Sequence, residues 1–361
     1  MNGLRIRSRL LLSVLALGVG AMLASTPASA SEQVVLGDVI AASTSPALPS
    51  ELAGWESLFQ GSMADLSPNG QEVLYLYMPD ESVVPWEMRI ASLVTGEILV
   101  RTVLPLETHP HAGGGAFSPD GEWIAASSAP EGASAHNSIA PWVVRRDGTG
   151  LRRLRDDEYD YTGASWSPDG RRIAFLRTLV ERAPPDEPEG ETRLVEEAAV
   201  ILDVATGDVL SVYEGLAAPR FSPDGRRLLA FEGSCLVTAD LSTGARTLVW
   251  DPRPLAPPGS GEWRVVNFAW VSDSARVLFT ANHWAVDLPG KPIVWEVHEA
   301  NLQDGQTRKV AAGRLAAAGA NGRWFVLDYR TSEQTRARRE AGQPLLQPGD
   351  VALLSVLRIG R

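Results

Sequence analysis

The fold follows from one stretch, Trp166-Ser167-Pro168-Asp169-Gly170 followed by Arg172-Ile173-Ala174-Phe175-Leu176. Proline presets φ for the first central position of a tight turn, aspartate suits the second, and glycine closes it. The apolar residues after the turn are typical of a β-strand. The stretch therefore predicts two antiparallel strands that are joined by a tight turn.

The same pattern recurs along the chain at nearly constant spacing. The copies begin at residues 67, 118, 167, 222, 271 and 319, so successive copies are 51, 49, 55, 49 and 48 residues apart. A fixed period of this length is typical of a repeat architecture. The other copies are Leu66-Ser67-Pro68-Asn69-Gly70, Phe117-Ser118-Pro119-Asp120-Gly121, Phe221-Ser222-Pro223-Asp224-Gly225, the degenerate Trp270-Val271-Ser272-Asp273-Ser274 and the weak Gly319-Ala320-Asn321-Gly322.

A second turn signal follows each of the first five copies and predicts a hairpin. These signals are Thr95-Gly96, Asp147-Gly148, Thr206-Gly207, Thr243-Gly244 and Asp304-Gly305. Four antiparallel strands per unit of about 50 residues are typical of a propeller blade. We therefore predict an all-β fold, a six-bladed β-propeller of four-stranded antiparallel blades. The sixth unit is one strand short, and we expect an N-terminal segment, residues 33–40 or 55–59, to complete it and close the ring.

These motifs resemble the WD40-like (PD40) repeat of the TolB-like β-propeller family. The resemblance covers about residues 55–359 and implies a propeller without the N-terminal domain of TolB, because only about 25 residues separate the predicted leader from the first blade. The same repeat occurs in propeller domains of prolyl-oligopeptidase-type enzymes. The chain has no Gly-x-Ser-x-Gly nucleophile motif, so a serine-hydrolase activity is not expected.

The first 30 residues have the pattern of a signal peptide. Arg5, Arg7 and Arg9 precede an apolar run over residues 10–24, and Ala28-Ser29-Ala30 forms a small-residue cleavage site. We predict a signal peptide at 1–30, an N-terminal segment and linker at 31–54, and the propeller at 55–361. The protein is then exported to the periplasm or the extracellular space, with no transmembrane segment after cleavage.

Composition narrows the classes of partner. The chain has 33 basic and 44 acidic residues, a net charge of −11, and its basic runs are short. Nucleic-acid binding needs clustered lysine and arginine, so no nucleic-acid partner is expected. Cys235 is the single cysteine, and it cannot form an intramolecular disulfide.

The candidate site residues lie in loops that the predicted topology places on the face opposite the Ser-Pro-Asp-Gly turns. Long loops on one face often carry function, and the longest here spans about residues 177–195, rich in proline and glutamate. Histidine is the commonest metal ligand, so His109, His111 and His136 could form a metal or acid/base site, or could be ordinary loop histidines. The other candidate ligand-binding residues are Trp142, Asp157 and Asp160.

Two functions are compatible with this sequence. The first is a non-enzymatic propeller that binds an envelope or extracellular protein, peptide or glycan through these loops, with no catalytic residue and no cofactor. The second is a metal-dependent polysaccharide lyase or hydrolase that uses the histidines and a divalent metal. The second function requires that His109, His111 and His136 lie close enough together to bind one metal ion.

Overall fold

The computed structural model describes residues 64–77, 87–92, 95, 97–104, 106–107, 115–130, 139–182, 192–252, 262–284, 294–312, 314–318, 323–328 and 353–358. These residues form six antiparallel sheets. Within these residues there is no helix that is both long enough and apolar enough to span a membrane.

The sheets follow one another along the chain. The first sheet is β1 (Ala64–Leu66), β2 (Glu72–Tyr77), β3 (Glu87–Ser92) and β4 (Ile98–Val103), and the second is β5 (Leu106–Glu107), β6 (Ala116–Phe117), β7 (Trp123–Pro130), β8 (Ala140–Arg145) and β9 (Arg152–Arg153). The third is β10 (Asp160–Trp166), β11 (Arg172–Arg182), β12 (Thr192–Asp203) and β13 (Val209–Glu214), and the fourth is β14 (Leu216–Phe221), β15 (Arg227–Glu232), β16 (Cys235–Asp240) and β17 (Arg246–Trp250). The fifth is β18 (Glu262–Trp270), β19 (Arg276–Trp284), β20 (Val294–Asn301) and β21 (Thr307–Ala312), and the sixth is β22 (Arg314–Ala318), β23 (Arg323–Asp328) and β24 (Leu353–Arg358).

The predicted all-β propeller of four-stranded antiparallel blades is confirmed, but the predicted number of six blades is wrong. Five blades are complete, and the sixth sheet has only three strands among the described residues. The second blade has an interrupted inner strand, because β5 and β6 both pair with β7. The sixth motif lacks the Ser-Pro pair that organises the turn in the strong copies, which explains the weaker unit there. Residues 33–40 and 55–59, predicted to complete it, lie outside the described residues.

The sheets are arranged in a circle. The inner strands β1, β6, β10 and β14 contact one another in turn, and β22 contacts both β18 and β1. The Trp270 indole on β18 donates to the Arg220 carbonyl on β14 at 3.0 Å. The apolar core lies between successive sheets: Leu74, Ile90 and Phe117 belong to one cluster, and Val143, Ile173 and Phe175 to the next. Burial of these side chains is the main favourable contribution to the stability of each interface.

The repeated turns lie side by side on one face, here called the turn face. A Cβ at Gly121 would meet the ring of Pro68 at 3.6 Å, and one at Gly225 would meet Pro168 at 3.3 Å. The indole of Trp166 donates a hydrogen bond from Nε1 to the carbonyl of Ala116 on the preceding sheet, at 3.0 Å. The turn motif therefore connects successive sheets as well as successive strands.

The serine of each strong motif stabilises its own turn. Ser222 is fully buried, and its Oγ accepts a hydrogen bond from the amide of Arg227 at 2.9 Å and donates one to Asp224 at 2.6 Å. The same arrangement occurs at Ser67, Ser118 and Ser167. In all four turns the serine side chain thus supplies the acceptor for the amide five residues later.

Replacement of Ser222 by alanine is expected to lower the free energy of unfolding by about 1–2 kcal/mol, because the buried amide of Arg227 loses its acceptor. Urea unfolding measures the effect. Ser272→Ala is the matched control, since Ser272 is an exposed residue of the fifth turn and its loss should change the stability by less than about 0.5 kcal/mol. Equal effects of both variants would contradict this role for the buried serine.

Candidate functional site

The third sheet carries a β-ribbon that extends away from the turn face. β11 has 11 residues and β12 has 12, whereas β15 and β16 have six each. The two strands pair from Arg172 and Asp203 to Arg182 and Thr192, with a register shift after Leu179 that leaves Val195 without a paired residue on β11. The predicted irregular loop over residues 177–195 is therefore wrong for residues 177–182 and 192–195, and residues 183–191 lie outside the described ones. The β-branched and leucine residues that flank the acidic part favour the extended pairing.

Among the described residues, β12 has no neighbouring strand on its outer edge at the end of this ribbon. β13 pairs with β12 only as far as Ala198, and β10 pairs with β11 only as far as Thr178. Within the described part of the chain, no strand pairs with the outer edge of residues 192–196. Val195 lies in this stretch and is 47% exposed. An exposed edge with an apolar side chain can pair with another extended chain.

The base of the ribbon is anchored by a buried cation. The Arg177 side chain is 12% exposed and forms an ion pair with Glu196 on the neighbouring strand. Its guanidinium carbon lies 4.2 Å from the centre of the Tyr159 ring. Ion pairing and cation–π contact together hold the two strands against the segment that leads into β10. The ribbon therefore projects from a rigid base.

The predicted residues Trp142, Asp157 and Asp160 all have partners inside the protein. Trp142 donates from Nε1 to the carbonyl of Ser128 at 3.1 Å. Asp157 forms an ion pair with Arg155 and accepts a hydrogen bond from the Tyr161 hydroxyl at 2.9 Å. Burial, and then the charge of Asp157, raises the pKa of Tyr161. Asp160 accepts a hydrogen bond from the Ile139 amide at 2.8 Å. Ligand binding by these residues stays a prediction.

The position of the acidic segment explains these partners. Residues 154–159 connect β9 to β10, and Leu154 is buried in the core between the second and third sheets. Asp157 is consequently drawn inward, where its side chain is 19% exposed, whereas the Asp156 side chain is 81% exposed. Sequence patterning could not separate these two neighbours, because the separation depends on the path of the chain between the sheets.

The histidine hypothesis is not tested by the described residues. His109, His111 and His136 all lie outside them, the first two between β5 and β6 in the sequence. Over the described ranges, no group of three or more histidine, cysteine, aspartate and glutamate residues is placed to hold a metal ion. His298 stacks on Phe279 with ring centres 5.5 Å apart and contacts Glu296 at 3.0 Å. A metal site formed by the other histidines stays a prediction.

Two charged residues of the inner strands were missed by the sequence analysis. Asp65 on β1 accepts a hydrogen bond from the Phe117 amide at 2.8 Å, and burial raises its pKa to about 6. Arg220 on β14 donates from Nη1 to the carbonyl of Gly163 at 3.1 Å. Burial lowers the pKa of Arg220, and the negative charge of Asp65 opposes that change. The pair thus interacts electrostatically between sheets that are not neighbours.

Both residues precede the apolar residue of a turn motif. The equivalent residues in the other strong copies and the degenerate one are Ala116, Ser165 and Ala269. Ser165 has the same role as Asp65, since its Oγ accepts from the Phe221 amide at 3.0 Å. A charged residue at a repeat position that otherwise holds a small residue is therefore the sequence feature that could have identified this pair.

Several solved structures are similar to this chain. A TolB candidate from Agrobacterium tumefaciens aligns with a TM-score of 0.47 and 15% identity over 70% of this chain and 81% of that one. An oligogalacturonate lyase in complex with manganese aligns with a TM-score of 0.48 and 12% identity over 74% and 70%. The hydrazine synthase of Kuenenia stuttgartiensis aligns with a TM-score of 0.47 and 13% identity over 86% and 88%. No protein-family profile and no curated protein matches the sequence.

Proposed function

We propose that this protein is an exported, non-enzymatic β-propeller that binds a protein or peptide partner through the face that carries the β11–β12 ribbon. The observation that supports the proposal is the ribbon itself, with its open strand edge and exposed Val195 on a rigid base. An open strand edge offers main-chain donors and acceptors at the spacing of an extended polypeptide. Among the partner classes compatible with the sequence, this geometry favours polypeptide over glycan.

Export is part of the same proposal and is supported by the signal-peptide pattern at residues 1–30. An exported chain meets envelope or extracellular polypeptides, which is consistent with the partner class. No cofactor is needed for binding of this kind, because strand addition and apolar contact supply the affinity.

Site-specific photo-crosslinking tests the proposal. A photoreactive residue at Val195 is expected to capture one defined partner in the source cells, whereas the same residue at Leu248, which is 57% exposed on β17, should not. The purified partner then gives a dissociation constant with the wild-type chain. Val195→Asp is expected to weaken that binding about tenfold, because a charge replaces an apolar contact of the interface.

A ribbon-shortened variant completes this experiment. Residues 180–195 are replaced by Asn-Gly, which joins the paired residues Leu179 and Glu196 as a two-residue hairpin. We expect binding to be lost while the urea unfolding midpoint stays within the range of the wild-type protein. Unchanged affinity of a folded, shortened variant, or equal crosslinking from Val195 and Leu248, would overturn the proposal.

A further inference from the structure

The fourth and fifth sheets are separated by an open cleft of about 440 Å³. It is lined on one side by β16, β17 and the turn between them, and on the other by the end of β20 and the turn that follows it. The polar lining residues are Arg227, Thr238, Asp240, Thr243, Thr247 and Asn301. A volume of this size is within the range of small-molecule sites.

The corresponding space is closed at two other interfaces by the hairpin turn of the following sheet. A Cβ at Gly148 would lie 2.2 Å from the Thr102 side chain on the preceding sheet, and a Cβ at Gly207 would lie 1.9 Å from the Leu154 carbonyl oxygen. A Cβ at Gly305, the equivalent glycine in the fifth sheet, would meet nothing within 4 Å. A Cβ at Gly244 of the fourth sheet would likewise meet nothing within 4 Å, so the turns of the fourth and fifth sheets both stand clear of the preceding sheet, and the cleft lies beside the fifth.

One repeat position changes chemistry where the cleft occurs. In the first four sheets, the residues that pair with the third residue of the second strand are Ile90, Val143, Ile201 and Thr238. In the fifth sheet the equivalent residue is the buried Glu299, so the position is aliphatic in the first three sheets and polar in the fourth and fifth. Ile90, Val143 and Ile201 are buried in the cores between sheets. Thr238 is equally buried, at 4% exposure, but it lines the cleft. In the fourth sheet a hydroxyl thus replaces the aliphatic branch of the first three sheets, and it does so in the wall of the cleft.

The polar groups of the cleft form a matched set. Thr238 and Thr247 face each other directly across β16 and β17, and neither hydroxyl has a hydrogen-bond partner among the described residues. Asp240 holds its own turn with one carboxylate oxygen, Oδ1, and these hydrogen bonds keep the residue ionised by lowering its pKa to about 2. Arg227 also lines the cleft, where its Nη2 donates to the Ser274 carbonyl and its guanidinium carbon lies 5.2 Å from the centre of the Trp270 ring. The wall thus carries one negative and one positive group.

We propose that this cleft binds a neutral sugar unit. Sugar hydroxyls donate and accept hydrogen bonds at the same time, as threonine hydroxyls do, and they can donate to a carboxylate and accept from a guanidinium. Ala245, Val249 and Ala300 supply apolar surface for the C–H groups of a sugar ring. Asp240 disfavours an anionic ligand and Arg227 disfavours a cationic one, so a neutral polyhydroxylated ligand fits the wall. The site lies beside the turn face and is separate from the ribbon.

Saturation-transfer NMR on the full-length mature chain tests the proposal with glucose, galactose, N-acetylglucosamine and cellobiose, and with galacturonic acid as the charged comparison. We expect at least one neutral sugar to give a saturable signal with a dissociation constant on the order of 1 mM, as expected for a ligand with few atoms. Thr238→Ile should abolish the signal, because it fills the cleft with the side chain found at Ile201.

The matched variants separate ligand contact from folding. Thr238→Ile should unfold at the same or a higher urea concentration than wild type, since isoleucine occupies this position in two other sheets. Thr247→Val, which removes only the hydroxyl, should weaken binding about fivefold, whereas Thr247→Ser should retain it. Absence of a saturable signal for every neutral sugar, an unchanged signal in Thr238→Ile, or tighter binding of galacturonic acid would overturn the proposal.

Discussion

Replacement of Gly207 by alanine is expected to lower the free energy of unfolding by about 4 kcal/mol, an unusually large effect for a single methyl group. Gly207 has a φ of +78°, which alanine adopts only with strain. The added Cβ would also lie 1.9 Å from the backbone carbonyl oxygen of Leu154, and a backbone atom cannot move aside as a flexible side chain can. Accommodation therefore requires separation of the second and third sheets at this point.

Gly244 is the matched control for this variant. It occupies the same turn position in the fourth sheet with a φ of +73°, and a Cβ there would meet nothing within 4 Å. Gly244→Ala should therefore cost only the strain of the left-handed conformation, about 1 kcal/mol. Urea unfolding of both variants gives the comparison. Equal losses of stability in the two variants would show that the close approach at Leu154 does not contribute to the cost of the substitution. If Gly207→Ala fails to fold and Gly244→Ala folds, the result agrees with the expectation.

The second large effect is a dependence of stability on pH that arises from Asp65. Burial, opposed by the amides of Phe117 and Leu66 and by the charge of Arg220, raises the pKa of Asp65 from 3.8 to about 6. Between these two values the folded protein binds more protons than the unfolded chain, so the free energy of unfolding decreases as the pH rises through this window. Asp65→Asn removes the titration but keeps an oxygen that can accept from the Phe117 amide.

The measurement is urea unfolding of wild type and Asp65→Asn from pH 4 to pH 7. The stability of the variant relative to wild type should rise by up to about 3 kcal/mol over this range, from the size of the pKa shift. The change in relative stability with pH is the quantity of interest. Any pH-independent effect of the substitution on stability, such as the loss of negative charge near Arg220, cancels in it. Parallel stability curves for the two proteins would contradict the assignment.

Asp203→Asn is the control of opposite sign. Hydrogen bonds from the backbone and side chain of Thr206 and from the Ala205 amide lower the pKa of Asp203. The stabilisation by Asp203 is therefore present above the pKa of the unfolded chain and is lost as the pH falls through the lower, folded value. Relative to wild type, the Asp203→Asn variant should lose stability as the pH rises, which is the reverse of the expectation for Asp65→Asn.

Much of the fold could be predicted because its signals are local. The turn motif at residues 166–176 and its copies have backbone requirements that proline, aspartate and glycine meet within four residues, and the strands on either side were found where they were expected. Among the described residues the sixth sheet has three strands and not the four that were predicted, and its motif is the most degenerate of the six. The ribbon of β11 and β12 was misinterpreted as a loop, because the proline- and glutamate-rich centre obscured the strand patterns beside it.

The candidate sites, like the fold, could be predicted from the sequence only in part. Asp157 and Asp160 were identified as acidic residues near one blade, but their bonds to Tyr161 and to the Ile139 amide depend on how a connecting segment crosses between sheets. Asp65 and Arg220 were not identified at all, although each stands at an unusual repeat position. Thr238 attracts no notice in the sequence, since its meaning comes from comparison with the aliphatic Ile90, Val143 and Ile201 at the same register of the first three sheets.

The sequence by itself determined the repeat, the turns and the antiparallel blades, because these depend on φ preferences and alternation within a few residues of one another. Only the tertiary structure decided which groups approach one another between sheets, such as Asp65 with the Phe117 amide or Gly207 with the Leu154 carbonyl, and where a gap remains beside Thr238. Those contacts join residues about 50 or more positions apart, and they depend on the register and separation of whole sheets, which no local pattern encodes.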